Sequence, residues 1–372
     1  MLPLVDGHFR AAEGIKKYID DTYPNQYIVE LIDGLNYVSK AVDTIVIKSY
    51  VNMARYSPKT WSQIYKKGEE SHSLANFSNG VQRLLSHKLF ELFEEQDPDI
   101  VISTHYFMTE MVACIKRRGK TNCKLAVILT DYASHKFWLS SKECVELYFV
   151  ANEPMKYSLM HEGIQERKIH VTGIPVRPEF LKKYDRKPIL DELGFDDDKP
   201  IFLVFGGGQY GMSDSSKLFK GLLEIRQDVQ IIAIAGKSES TKKTFTKLAS
   251  NYDKKVAVLG FTDKVAELMS VADFVVSKPG GLTTTEILVS NVPFIIFNPV
   301  PGQEEENSWF LVNNGAGFRM YDLNKTTPFV EQLLDDKYRI ENMKLMQKYI
   351  AKPNSTKDIV DTVIQEMNNN EY

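Results

Sequence analysis

Short runs of β-branched and aromatic residues alternate with longer helical stretches along most of the chain. That alternation restricts the fold to α/β architecture, with parallel sheets joined by helical crossovers. The runs are Ile100–Thr104, Leu125–Thr130, Leu147–Val150 and Ile169–Val171 in the first half, then Ile201–Phe205, Gln230–Ala235, Val256–Leu259, Phe274–Ser277 and Phe294–Phe297. Between the halves lie Pro175-Val-Arg-Pro178, the charged stretch Lys182–Lys187 and Asp196-Asp-Asp-Lys-Pro200, a composition suited to an exposed connection. At ~150 residues per domain, 372 residues divide naturally into two. The expected organisation is a first domain over 1–177, a linker over 178–199, a second domain over 200–336, and helices over 337–372 packing back toward the first. Two doubly wound, Rossmann-like domains facing a central cleft would place chemistry in the loops after the strands.

The composition excludes several classes. With 46 Lys+Arg against 49 Asp+Glu, the net charge of −3 provides no global attraction to nucleic acid. Cys114, Cys123 and Cys144 match neither a disulfide framework nor a CxxC metal knuckle, which favours a reducing cytoplasm. No apolar run approaches the ~18 residues of a membrane span, so any membrane contact is peripheral.

Four loops carry candidate chemistry. Val5-Asp6-Gly7-His8 follows a brief apolar start and precedes a helical pattern to Ile19, which would put His8 at a helix N-terminus. Helix-end potential keeps an imidazole neutral and suits it to general base work, while a surface or capping histidine is the plainer alternative. Phe205-Gly206-Gly207-Gly208-Gln209-Tyr210-Gly211 places glycines between a strand and a helix, either to admit a phosphate or simply to turn. Ser277-Lys-Pro-Gly-Gly281-Leu-Thr-Thr-Thr-Glu286 would set free N–H groups and hydroxyls at a helix start, ready for a diphosphate. Glu286, one turn on, could accept from both ribose hydroxyls; a capping box from Thr283 to Glu286 is the alternative. In Asn298-Pro-Val-Pro-Gly-Gln-Glu-Glu-Glu-Asn307, Gln303 and Glu304 offer the donors and acceptors that sugar hydroxyls require, unless they form an acidic helix cap.

Taken together these residues resemble the diacylglycerol glycosyltransferases, the processive diacylglycerol β-glucosyltransferases and monogalactosyldiacylglycerol synthases. The resemblance rests on Gly7-His8-x-x-Ala-Ala12, Thr130-Asp131 with His135 and Trp138, Gly173-Ile-Pro-Val176, Gly260-Phe-Thr-Asp263, Lys278-Pro-Gly-Gly-Leu-Thr-x-Thr-Glu286 and Pro299-x-Pro-Gly-Gln-Glu-x-Glu-Asn307. It implies the GT-B fold and inverting, metal-independent transfer of a hexose, glucose favoured over galactose, from a UDP-sugar to diacylglycerol. It also implies no cofactor. By position, His8 would be the base, Phe261 would meet the uracil, Gly281, Leu282 and Thr283 the diphosphate, Glu286 the ribose, and Gln303 with Glu304 the donor sugar. Gly207 would lie on the donor side, and Asp131, His135 and Trp138 on the acceptor side, where His135 and Trp138 could equally be a buried aromatic pair. One departure is that Val5 stands where the family has a glycine and only Met1–Val5 precede the turn, so a clipped first strand is expected.

Two other functions remain open on these residues: hexosamine transfer from a UDP-N-acetylhexosamine to an isoprenoid-linked acceptor, and a catalytically silent UDP-sugar sensor. Asp97-Pro98-Asp99 has the form of a metal-holding Asp-x-Asp pair, but it precedes a strand rather than following one. Without a metal, the departing UDP would be stabilised by helix-end N–H groups. The expected location is the cytoplasm, peripheral on the inner face of the cell membrane. Residues 44–67 carry Lys48, Arg55, Lys59, Lys66 and Lys67 with Tyr50, Tyr56, Trp61 and Tyr65 and no acid, which suits an anionic membrane surface. Lys59, Trp61, Lys66 and Lys67 are the expected contacts, against an ordinary surface helix with inward aromatics.

Overall fold

Every strand run expected after residue 100 forms a strand in the computed structural model, which describes residues 3–38, 89–206 and 214–368. The chain divides into two compact units. One comprises 1–177, 301–306 and 352–372; the other comprises 178–300 and 307–351.

The first unit holds a four-stranded parallel sheet of β1 (Ile100–Ser103), β2 (Lys124–Ile128), β3 (Leu147–Phe149) and β4 (Ile169–His170), in that order. Val101 pairs with Leu125, and Ala126 with Leu147. Leu125–Ile128 is buried throughout, as an apolar run covered on both faces requires. On one face Ala126, Ile128, Leu147 and Phe149 pack with Ile15 and Ile19 of the helix Pro3–Thr22 and Ile359, Val360 and Val363 of the helix Ser355–Asn368. The tail is thus part of the first unit's core. Ser355 Oγ donates to the Ile174 carbonyl at 2.7 Å, and Thr356 Oγ1 accepts from the Val176 N–H at 2.9 Å. Gly173 has φ +91°, and a Cβ there would lie 2.5 Å from Lys352 Cβ. Only glycine meets both demands.

The expected first strand is absent. Residues 3–22 are one helix, and Pro3, without an N–H to give a ladder, sits where a helix tolerates it best. His8 therefore lies in the second turn of a helix and not in a loop at its start.

The second unit contains β5 (Ile201–Phe205), β6 (Gln230–Ile234), β7 (Val256–Leu259), β8 (Phe274–Ser277), β9 (Phe294–Phe297) and β10 (Phe318–Met320), all parallel. Their spatial order, β10-β9-β8-β5-β6-β7, reverses between β5 and β8. Ligands bind beyond the carboxyl ends of strands at such a reversal. The loops that leave β5 and β8 are the two glycine-rich segments, beginning at Gly206 and Lys278. Phe202 and Val204, with Ile231, Ala233, Phe274 and Val276, point into a core closed by Phe219, Phe245, Val330 and Met343. Each such side chain, fully buried, contributes ~1.5–3 kcal/mol. β10 was not anticipated: three residues centred on Arg319 at a sheet edge are too short to show alternation.

Residues 178–199, expected as a linker, belong to the second unit and include the helix Arg186–Leu193, capped by Asp185 and ended by Gly194 at φ +67°. The helix Lys337–Ile350 also belongs to the second unit, so only the chain from Lys352 onward joins the first.

Candidate active site

In the first unit the carboxyl ends of β1 and β2 converge on His8. Its Nδ1 lies 2.6 Å from the Thr104 carbonyl oxygen and 2.9 Å from Thr130 Oγ1, while Thr104 Oγ1 donates to the His8 carbonyl at 2.9 Å. A carbonyl oxygen can only accept, so Nδ1 carries the hydrogen and Nε2 keeps its lone pair. Burial pushes the imidazole pKa down to about 4, against a smaller upward pull from the Thr104 carbonyl. The ring is thus neutral near pH 7, as expected, but through desolvation rather than helix-end potential.

Two more histidines join it. His105, in the loop directly after β1, stands edge to face with His8 at 4.7 Å and stacks on Tyr106. It caps the helix Tyr106–Arg117, its Nδ1 accepting from the Phe107 N–H at 3.1 Å. Burial, with His8 and His135 nearby, holds it well below the usual histidine range. Sequence reading missed His105, although the rule that chemistry follows strand ends would have found it beside Thr104. His135 is 3% exposed and meets Tyr106 edge to face at 5.6 Å. Its Nε2 lies 3.0 Å from Gln303 Nε2, and burial, with a smaller effect of His8, pushes its pKa down to about 3. The amide nitrogen can only donate, so His135 Nε2 accepts. Trp138 is 1% exposed and tilts against His135 at 5.9 Å, so the pair is buried and buttresses the cluster from behind. Asp131 is buried beside them in sequence, following Thr130. Gln303 and Glu304 open the helix Gln303–Asn313, and the segment 301–306 belongs to this unit.

The second unit presents the other group. The helix Gly281–Ser290 begins immediately after β8, and its cap is Gly280, which has no side chain to satisfy the first N–H groups. The N–H groups of Gly281, Leu282 and Thr283, in the first turn, accordingly receive no capping side chain from Gly280. A Cβ at Gly280 would meet nothing within 4 Å among the described residues. Since the helix starts at Gly281, Thr283 is not its cap and the capping-box alternative falls away. Glu286 is 9% exposed on the second turn. Thr285 Oγ1 donates back to the Gly281 carbonyl at 2.9 Å, and Asn307 Nδ2 donates to the Pro279 carbonyl at 3.0 Å, fixing the loop. In the sequence Asn307 is only the last residue of the Pro-Gly-Gln-Glu pattern; its role in holding the loop follows from its full burial. Phe261, just after β7, is 53% exposed, and Lys237 Nζ lies over its ring at 5.0 Å. Lys237 was not anticipated.

Gly207, Lys59, Trp61, Lys66 and Lys67 lie outside the described residues. Asp97 and Asp99 stand at the amino end of β1, the opposite end from Thr104, and Asp97 takes φ +38° in the turn. Among the described residues no group of three or more His, Cys, Asp or Glu could hold a metal ion. No described helix is long and apolar enough to cross a membrane.

Residues 8–176 match the family model of monogalactosyldiacylglycerol (MGDG) synthase, and 201–363 match that of the glycosyltransferase family 28 C-terminal domain. The processive diacylglycerol beta-glucosyltransferase of Bacillus subtilis (strain 168) is 31% identical over 279 residues, covering 75% of this chain and 72% of the relative. The enzyme of the same name from Bacillus cereus (strain AH187) is 29% identical over 314 residues, covering 81% and 79%. Among solved structures, MurG of Acinetobacter baumannii superposes with a TM-score of 0.55 at 16% identity, covering 76% of this chain and 77% of that one. UDP-GlcNAc 2-epimerase of Neisseria meningitidis, bound to UDP-GlcNAc, gives 0.59 at 16% identity, covering 76% and 82%. These likenesses support the two-domain Rossmann-like α/β fold. With both halves of the chain matched by family models and near a third of aligned positions identical across most of it, the chain belongs to the diacylglycerol glycosyltransferase family.

Proposed function

We propose that this protein transfers a hexose, glucose in the favoured reading, from a UDP-sugar to the free hydroxyl of diacylglycerol, with inversion at the anomeric carbon. The observation that carries the reading is His8, held through Nδ1 on a backbone carbonyl so that Nε2 is a neutral, oriented base. Nε2 takes the acceptor hydroxyl's proton as the oxygen attacks the anomeric carbon, and the sugar–phosphate bond breaks toward UDP. Charge grows on the diphosphate as that bond breaks, and uncapped N–H groups at a helix start are suited to it. Gly281, Leu282 and Thr283 are assigned to that role, Glu286 to the ribose, Phe261 to the uracil face, and Gln303 with Glu304 to the hexose. Gly207 is assigned to the donor side on sequence alone. Because these groups need no metal to offset the leaving charge, the reaction is proposed to be metal-independent.

Asp131 and the buried His135–Trp138 pair are assigned to shaping the acceptor side, with Trp138 acting through His135. Diacylglycerol does not leave the bilayer, so the enzyme must work at a lipid surface, on the cytoplasmic face where UDP-sugars are made. The basic and aromatic segment 44–67, with Lys59, Trp61, Lys66 and Lys67, is the contact that the sequence supports. The test is incubation with each UDP-sugar and dispersed diacylglycerol in the presence of a chelator, followed by mass analysis of lipids. A hexosyl-diacylglycerol formed with UDP release is the expected result. UDP binding without turnover would favour a sensor, and a product only on an isoprenoid-linked acceptor would overturn the lipid assignment.

A further inference from the structure

We propose that the second unit carries its own anionic-lipid contact, formed by the outer face of the helix Lys337–Ile350 and the cavity beside it. Successive helical residues turn by ~100°, so Tyr338, Leu345 and Tyr349, at spacings of seven and four, fall on one stripe. They are 76%, 64% and 80% exposed, although the opposite side of the same helix buries Met343 and Gln347 completely. An exposed apolar stripe on an otherwise well-packed helix indicates a partner.

Charge identifies the partner's chemistry. The helix carries Lys337, Arg339, Lys344 and Lys348 against the single acid Glu341, in a chain whose net charge is −3. By the same rotation, Lys337, Lys344 and Lys348 flank the stripe on one side and Arg339 on the other. None of the four is paired with a carboxylate among the described residues. Some surface lysines elsewhere on this unit do have carboxylate partners, as in Lys264 with Glu192 and Lys199 with Asp228. Tyrosines along the centre with cations on both edges form the pattern of a helix lying in a headgroup layer, where amphipathic rings and aliphatic stems are buried and charges meet phosphates.

On the Arg339 side a cavity of about 370 Å³ opens against the edge strand β10. Phe318, Arg319, Tyr321, Arg339, Met343 and Met346 line it, and no carboxylate does. Arg339 lies over the Phe318 ring at 4.3 Å and Arg319 over Tyr321 at 4.8 Å, so both guanidinium groups are held in place by stacking. The held Arg339 guanidinium above an apolar, thioether-rich floor fits a lipid phosphate with the start of its acyl chain. The face thus commits to an anionic phospholipid bilayer. It uses none of the residues assigned to the transfer, so binding and chemistry can fail independently.

The test uses the full chain and extruded vesicles of phosphatidylglycerol and phosphatidylcholine in equal parts, with pure phosphatidylcholine as the control. Two variants are compared with the parent, Tyr338→Ser/Leu345→Ser/Tyr349→Ser and Arg339→Gln/Lys344→Gln/Lys348→Gln. All these side chains are on the surface, and the melting temperature checks the fold. Each variant is expected to lose on the order of tenfold or more in partitioning onto the mixed vesicles at low salt. Turnover on detergent-dispersed diacylglycerol should stay within twofold. Co-sedimentation equal to the parent's would overturn the proposal. So would a parent dimer that the first variant converts to monomer with unchanged vesicle binding, because a second copy of the chain would then cover the stripe.

Discussion

His8 is useful because of one hydrogen bond. The Thr104 carbonyl can only accept, so it fixes which ring nitrogen is free, and burial keeps that nitrogen unprotonated. His8→Ala should lower kcat by ~10²–10⁴-fold while leaving UDP affinity nearly unchanged, as measured by single-turnover assay and calorimetry. For the parent, kcat/KM should stay level as the pH falls below neutrality and drop only as it passes about 4, where His8 protonates. Glu286 is the residue proposed for the ribose of the other substrate. Glu286→Ala should weaken UDP binding by ~1.5–3 kcal/mol, the usual loss for hydrogen bonds to a charged group, with the fold intact. His135 bears on stability. Its pKa drops from 6.5 to about 3 on burial, so folded and unfolded chains bind protons alike at pH 7. As the pH falls from 6.5 toward 3, the unfolded chain takes up a proton the folded one refuses, and stability is lost, by ~2 kcal/mol at pH 5. Urea unfolding of the first unit at pH 7 and pH 5 should show this loss, and His135→Gln should shrink it.

The helices and strands bring these side chains to where they act. The helix Gly281–Ser290 presents first-turn N–H groups without a capping side chain because its cap is a glycine, and the loop before it is held by Asn307 on the Pro279 carbonyl. Asn307→Ala would leave that carbonyl unsatisfied, a cost of ~1–3 kcal/mol. It should raise the KM for UDP-sugar more than it lowers kcat. The helix Pro3–Thr22 shows how far local reading reaches. Apolar spacing after His8 marks a helix, and Gly-His marks the candidate base. Five residues ahead of them cannot reveal whether they will pair as a strand, because pairing depends on a neighbour elsewhere in the chain. β10 escaped notice for the same reason. Its three residues are strand only because β9 lies alongside.

Across the whole molecule, the order of strands settles where ligands can bind. The reversal between β5 and β8 puts the loops that start at Gly206 and Lys278 at one place in the second sheet. The tail completes the other unit. Gly173→Ala would force a Cβ against Lys352 at a left-handed φ, and it should destabilise the first unit by ~1–3 kcal/mol in thermal or urea unfolding. The α/β class, the strand runs and the glycine-rich and Pro-Gly-Gln-Glu loops were legible from residues in order, because periodicity and turn chemistry are local. The return of the chain's end to the first unit was expected, whereas its start at Lys352, the helix start at Gly281 in place of a Thr283 capping box, the helix within 178–199 and the cluster of His8, His105 and His135 were not legible. Those depend on contacts between segments up to about 350 residues apart, such as Ile15 and Ile19 against Ile359 and Val363. No spacing in one dimension encodes such contacts. Burial sets the protonation of the three histidines, and burial exists only once the chain has folded.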